Sequence, residues 1–372
     1  MTVVSAALLP AVGAAAPWAL KPGVDPLSDG GRTAQKVELV DFDADGWVDI
    51  AFANSKGEGV SGGPATREIN ALLRNAGTDP VSFTEVQGVF EDADNAWVVK
   101  AGDVDNDGDA DLVVGEVYDG SMSYVLLNEG GGVFTRHDIP LSANRSIGEL
   151  ELGDIDHDGN LDIVAADWGN LPHGQIDDPG APLRLWLGNG DGSFSDGSAK
   201  LAMGADVLAA WSFDLELVDI NNDFWLDVMV STHGDADPAV VLLNDGKGNL
   251  VVHPVPALQP MNVKNINTAF TPMDFNGDGF VDVVSLQDGG ITACMPDCAR
   301  RNSILINDQK GQFEIPPNYW TGANNPGKRD FDAATLDFNN DGVPDLVTVG
   351  VQLAAFDQNG RLFVNDGSAF TP

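Results

Sequence analysis

The sequence predicts an all-β fold built from six copies of one unit, and three repeated features predict it. The first is an acidic nine-residue stretch with the pattern D-x-D/N-x-D-G-x-x-D. It reads DFDADGWVD at 41–49, DVDNDGDAD at 103–111, DIDHDGNLD at 154–162, DINNDFWLD at 219–227, DFNGDGFVD at 274–282 and DFNNDGVPD at 337–345. The second is the pair of apolar runs flanking each copy, such as VELV and IAFAN around the first or LELV and VMVST around the fourth. Short β-rich runs bounded by turn residues read as strands. The third is a later signature, as in VLLNEGGGVF, LWLGNGDGSF and VLLNDGKGNL. Its Asn or Asp with Gly between apolar runs signals a hairpin.

Each unit therefore carries four strands, A to D. The acidic loop joins A to B, a loop of variable length joins B to C, and a tight turn joins C to D. Successive acidic loops start 51 to 65 residues apart. A period of this size made of short strands predicts a β-propeller, whose blades bury their faces against one another. Six four-stranded blades are expected in one domain over residues 36–372. Residues 1–35 are expected as a leader, with two readings open. Their GAAAP has the small residues of a signal cleavage site, although no basic residue precedes Lys21. They are also placed to supply a strand that closes the ring. A seven-bladed alternative needs them to form a degenerate blade.

Acidic residues outnumber basic ones 57 to 19, for a formal charge of −38. Such a chain lacks the basic footprint that nucleic acid demands. An anionic membrane surface is disfavoured for the same reason, and no apolar run reaches spanning length. Cations are the natural partners. The two cysteines, Cys294 and Cys298, are too few for a disulfide scaffold but close enough for one local bridge in an oxidising compartment.

The D-x-D-x-D-G-x-x-D loops followed by LLNDGKGNL-type turns resemble the FG-GAP/VCBS repeats of integrin α-subunit propellers and of many secreted bacterial proteins. The resemblance covers about residues 36–372. It implies a secreted, calcium-binding, integrin-like propeller of the kind found in adhesins, carbohydrate-binding proteins and polysaccharide-degrading enzymes.

The spacing itself points to calcium. Oxygens at positions 1, 3 and 5 of a tight loop converge on one point, a carbonyl at position 7 adds another, and the carboxylate at position 9 can bind with both oxygens. The absence of His and Cys from positions 1, 3, 5 and 9 argues against zinc. The expected side-chain ligands are Asp41, Asp43, Asp45 and Asp49; Asp103, Asp105, Asp107 and Asp111; Asp154, Asp156, Asp158 and Asp162; Asp219, Asn221, Asp223 and Asp227; Asp274, Asn276, Asp278 and Asp282; and Asp337, Asn339, Asp341 and Asp345. Up to six Ca²⁺ are expected. The loop at 219–227 is the weakest, because Phe224 takes the turn where the other copies have glycine.

The B–C loops emerge opposite the acidic loops, and they differ in length and content. Binding chemistry is therefore sought there, on loops held by a rigid scaffold. Trp168 is a candidate stacking platform for a sugar ring, or else a cover for the seam between blades. His173, His233 and Arg300 are candidate ligand-binding residues, with Arg145 a further cation suited to uronate carboxylates. A second set lies just after strand B, including Asn54, Glu116 and Asp167. On strand A, Glu38, Lys100, Glu151 and Glu216 share the place three residues before the acidic loop, where they are expected to line an axial funnel.

The function expected is that of an extracellular or periplasmic, calcium-stabilised propeller, a monomer that binds glycan or protein ligands through its B–C face, without catalysis of its own. The alternative is a polysaccharide lyase acting on an acidic polymer at the same face, with His173 or His233 as base.

Overall fold

The computed structural model describes residues 32–371 apart from 56–66, 79–80, 91–92, 118–121, 144, 170–180, 203–211, 232–238, 257–266, 288–301, 317–329 and 353–356. No α-helix occurs among the described residues. Six antiparallel sheets follow one another along the chain. Blade 1 comprises β1 (Ala34–Val40), β2 (Asp49–Asn54), β3 (Ala71–Asn75) and β4 (Phe83–Glu85). Blade 2 comprises β5 (Ala96–Gly102), β6 (Asp111–Glu116), β7 (Tyr124–Asn128) and β8 (Phe134–Asp138). Blade 3 comprises β9 (Ile147–Gly153), β10 (Asp162–Asp167), β11 (Arg184–Gly188) and β12 (Phe194–Asp196). The two-residue β13 (Leu201–Ala202) then pairs in parallel with the outer edge of the next blade, a fifth strand that the repeat pattern did not announce. Blade 4 is otherwise β14 (Leu215–Val218), β15 (Asp227–Val230), β16 (Val240–Asn244) and β17 (Leu250–His253). Blade 5 runs β18 (Asn267–Met273), β19 (Asp282–Gln287), β20 (Ser303–Asn307) and β21 (Phe313–Glu314). Blade 6 runs β22 (Asp330–Leu336), β23 (Asp345–Gln352), β24 (Asp357–Asn365) and β25 (Phe370–Thr371). The six four-stranded blades form a propeller.

The repeat dictates which residues meet. Strand residues alternate between the two faces of a blade, so each blade offers one apolar set backwards and one forwards. Four residues before acidic loops two to five, Val99, Leu150, Leu215 and Phe270 are buried against the blade before. At position 2 of the loop, Phe42, Val104, Ile155, Ile220 and Phe275 are buried against the blade after. Phe42 joins Val99, Leu112 and Leu126 in the cluster between blades 1 and 2. Such burial contributes about 1.5–3 kcal/mol per large side chain. Five apolar clusters are present among the described residues, one for each interface from blades 1 and 2 to blades 5 and 6.

The ladder between strands A and B slips by one residue near its far end in five of the blades, for example between Ala34 and Lys36 and between Ala96 and Val98. A bulge leaves one residue unpaired and sharpens the local twist. It sets the polar residues that end strand B apart from the regular sheet.

Candidate metal loops and axial cluster

The acidic loops share one hydrogen-bonding plan. In loop one, Asp41 accepts from the backbone N–H groups of Asp45 (3.1 Å) and Gly46 (2.8 Å), and Asp45 accepts from the N–H of Trp47 (2.9 Å). The same three bonds recur in loops two and three. Loops four to six repeat them through Asp219, Asp274 and Asp337. Holding the position-1 carboxylate by two N–H groups turns the loop back on itself and brings positions 3 and 5 beside it.

The ninth residue has a further duty. Asp111 is fully buried; it accepts from the N–H of Val104 at position 2 (2.8 Å) and from the N–H of Asn128 on strand C (2.8 Å). Asp49, Asp162, Asp227, Asp282 and Asp345 make the equivalent pairs. These aspartates tie loop, strand B and strand C together, as well as standing at a ligand position. Desolvation raises the carboxyls of Asp111, Asp162 and Asp282 to about 6 and that of Asp227 to about 7, and raises Asp49 as well, with the backbone donors pulling the other way.

Two backbone positions in each loop are left-handed. Position 6 has φ between +70° and +96°, filled by glycine except in loop four, where Phe224 sits at +70° and is 82% exposed. Position 4 is also left-handed, at Ala44, Asn106, His157, Asn222, Gly277 and Asn340. Sequence reasoning missed this second turn, although the run of asparagines there was a signal, since Asn tolerates that region well. Position 4 then reaches the next loop. Asn106 donates to Asn160 (2.9 Å), Asn222 donates to the carbonyl of Gly279 (3.1 Å), and the His157 ring stacks on Trp225 at 3.8 Å.

The donor set fits a hard cation. Carboxylate oxygens of Asp41, Asp43 and Asp45, of Asp103, Asp105 and Asp111, and of Asp154, Asp156 and Asp162 lie within 4.8 Å of one another in each group. Oδ1 of Asp43 and Oδ1 of Asp156 are buried and accept no hydrogen bond. Such oxygens are costly unless a cation meets them. Arg74 forms an ion pair with Asp43, and Lys200 approaches Asp156 at 3.3 Å. In loops four to six the third residue is asparagine. Its amide donates to the fifth-position aspartate, from Asn221 to Asp223 (3.1 Å), Asn276 to Asp278 (3.3 Å) and Asn339 to Asp341 (2.8 Å). These loops replace a repulsion with a bond. Calcium, held by the residues at positions 1, 3, 5 and 9, would supply the charge that the first three loops lack.

The axial set is richer than the four residues anticipated. Lys100 pairs with Glu151, and Glu38 accepts from the N–H of Ala101 (3.4 Å). Two residues earlier on the same strands, Lys36 of blade 1 meets Glu149 of blade 3 at 2.7 Å. That contact skips blade 2 and so crosses the axis. Asp214 and Asp332 add to the field around Lys36. Burial alone would lower both lysines, but the carboxylates outweigh it and hold Lys36 and Lys100 above their usual range. Desolvation pushes Glu151 and Asp214 up to about 7 and Glu216 well above the carboxylate range.

The B–C face is described in part. His173, His233 and Arg300 lie outside the described residues, as do Cys294 and Cys298. Trp168 is described, and it corrects the expectation of an open stacking platform. It is 4% exposed, donates Nε1–H to the Ser212 carbonyl (2.6 Å) and packs edge-on against Trp97 and Phe213. Its indole lies on Gly148, where a Cβ would fall 1.9 Å from the ring. Trp168 therefore seals a blade seam. Arg145 pairs with the buried Asp167 (3.4 Å), which Arg184 also meets (3.0 Å), so this guanidinium is engaged internally. Asn54, Glu116 and Asp167 are buried and do not line an open funnel.

A ring of four-stranded blades, each carrying an oxygen-rich loop between its first two strands, defines a repeat propeller with acidic loops. The chain matches the family model for the FG-GAP-like repeat over residues 41–114, 219–285 and 274–348, more than half of its length, and it belongs to that family. No curated protein matches the sequence. Similar solved structures include AofleA from Arthrobotrys oligospora, at 12% identity and a TM-score of 0.45, covering 91% of this chain and 85% of that one. They also include the rhamnogalacturonan lyase YesW, at 12% identity and a TM-score of 0.46, where 91% of this chain covers only 57% of the lyase. Likeness at this identity concerns the fold alone.

Proposed function

We propose that this protein is a calcium-stabilised propeller working outside the cytoplasm, and that it presents its B–C loops to a glycan or protein ligand without catalysing a reaction. The observation that supports this reading most is the convergence of three carboxylate groups in each of the first three loops, with buried oxygens of Asp43 and Asp156 that accept no hydrogen bond. Those loops repeat from blade to blade and serve the scaffold, whereas the B–C loops share no pattern. Ligand selection on a propeller of this kind belongs to the unshared part. An extracellular or periplasmic setting suits loops with mixed Asp and Asn ligands, since weak calcium sites fill where calcium is abundant.

The test has two arms. Thermal melts with and without excess chelator measure the calcium contribution; binding to the folded state alone stabilises it by mass action. An unchanged melt would remove the calcium reading. A glycan array followed by turnover assays on uronic-acid polymers then addresses the ligand. Binding without product supports the proposal, and release of unsaturated sugar would replace it with the lyase.

A further inference from the structure

The interface between blades 1 and 2 holds a cavity of about 190 Å³ beside the B–C loop of blade 2. Val89 and Phe90, on the connection into β5, form one wall. Tyr124 and Leu126 of β7 with Phe134 and Arg136 of β8 form the rest. This chemistry is not repeated: strand C begins with Ala71, Arg184, Val240 and Ser303 in blades 1, 3, 4 and 5, where blade 2 has Tyr124. The interface between blades 2 and 3 shows why the space exists. There Trp186 takes the place of Leu126, each pairing with the second residue of strand B. Trp186 is buried and donates Nε1–H to the Pro140 carbonyl (2.8 Å). Pro140 precedes β9 by the same interval as Val89 precedes β5. The smaller Leu126 leaves that volume unfilled.

The polar side of the cavity is held rigid. Tyr124 is buried; its hydroxyl donates to Asp94 (2.7 Å) and accepts from the Asn70 amide (3.2 Å). That fixes the ring on which the Arg136 guanidinium lies, 3.6 Å from the centroid. Arg136 also donates through Nε to Asp138 (3.1 Å) and through Nη2 to the Met122 carbonyl (3.4 Å). A guanidinium has more N–H donors than these two bonds use, and this one is fixed before a ligand arrives. Charge decides what it takes. Asp138 already pairs with Arg136, and Asp94 lies behind Tyr124, in a chain of net charge −38. A ligand carboxylate would meet like charge. A hydroxyl would not, because one such group accepts from Arg136 and donates to Asp138. Phe90, Phe134 and Leu126 offer apolar surface to the C–H face of a ring. An apolar cavity of about 150 Å³ takes one benzene ring, so this one has room for a six-membered ring and its substituents. We propose that this cavity binds one neutral pyranose residue of a glycan, a site that rests on the glycan reading above. Arg136 and Asp138 hold its hydroxyls, and the aromatic side chains cover its C–H face.

Ligand-observed NMR on the full chain in saturating calcium tests this with the methyl glycosides of glucose, galactose and mannose, beside sodium glucuronate and galacturonate. At least one neutral glycoside is expected to bind, with saturation transfer strongest at the ring protons of one face. Each uronate is expected to bind more weakly than its neutral counterpart. Arg136→Ala and Asp138→Ala should each weaken binding about tenfold or more, the loss that a bond to a charged group implies. Leu126→Trp should abolish it by filling the cavity as Trp186 fills its own place. Melts report that each variant is folded, and if Arg136→Ala or Leu126→Trp unfolds the chain, the exposed Asp138→Ala is read alone. A uronate that binds as tightly as its neutral counterpart overturns the proposal. Glycoside binding that the folded variants leave unchanged overturns it too but keeps the glycan reading, as does a positive glycan array without glycoside binding. A blank array with no glycoside binding overturns both.

Discussion

Asn128 donates its side-chain amide to the carbonyl of Phe42, one blade back, at 2.7 Å, and to the carbonyl of Ala110 in its own blade at 3.1 Å. Both carbonyls belong to acidic loops, so one buried asparagine fastens two loops and two blades together. Replacing it leaves buried acceptors unmet. Asn128→Ala is expected to cost about 1–3 kcal/mol in denaturant melts with calcium present. Asn75→Ala should cost less, because Asn75 lacks the bond across the seam. Equal costs would mean that the inter-blade bond contributes nothing.

Phe224 is the one non-glycine residue at position 6, and its φ of +70° is unfavourable for a side chain that finds no burial there. Phe224→Gly is expected to raise stability by about 1 kcal/mol by relieving that conformation. Some of the gain is lost to the greater freedom of glycine in the unfolded chain. The check is the denaturant midpoint, and a lowered midpoint would mean that the ring has a contact worth keeping.

The repeats made the blades and the turns of the acidic loops legible because both depend on local spacing. A nine-residue motif with fixed turns can be read from one stretch of chain. What the repeats could not reveal depends on residues distant in sequence. Lys36 meets Glu149 across the axis, and Trp168 is sealed in by Gly148 and Ser212, so neither role shows in a local pattern. Trp168 is ambiguous in sequence for a physical reason: a tryptophan at the end of a strand is equally suited to stacking on a ligand or covering a seam, and only its neighbours decide.

The third position separates two kinds of loop. Asp105 faces Asp103 and Asp107 with like charge, and its carboxyl is raised by desolvation first and by Asp107 next. Asn221, Asn276 and Asn339 convert that repulsion into a hydrogen bond. Asp105→Asn is therefore expected to raise the melting temperature of the chelated protein while weakening calcium binding at loop two, because fewer charges remain in the shell. Isothermal titration with calcium, beside melts in chelator, checks both halves. A variant less stable in both states would show that Asp105 serves packing instead.

The axial carboxyls give a pH dependence whose sign follows from the direction of their shifts. Glu151 and Asp214 reach about 7 in the folded chain and Glu216 lies higher, against an ordinary carboxylate value near about 4. Between those limits the folded chain holds protons that the unfolded chain has released, so stability falls as pH rises through the window. Lys36 and Lys100, whose values are raised, stay charged across it and do not alter the sign. With calcium saturating, so that the loops are held constant, the melting temperature is expected to be higher near about pH 5 than near about pH 7.5. Glu216→Gln removes a group that desolvation disfavours in its charged form. This variant should melt higher than wild type at the upper pH, and its slope should be shallower. A wild-type melt that rises with pH across the window would show that these carboxyls gain more from the lysines than they lose to burial.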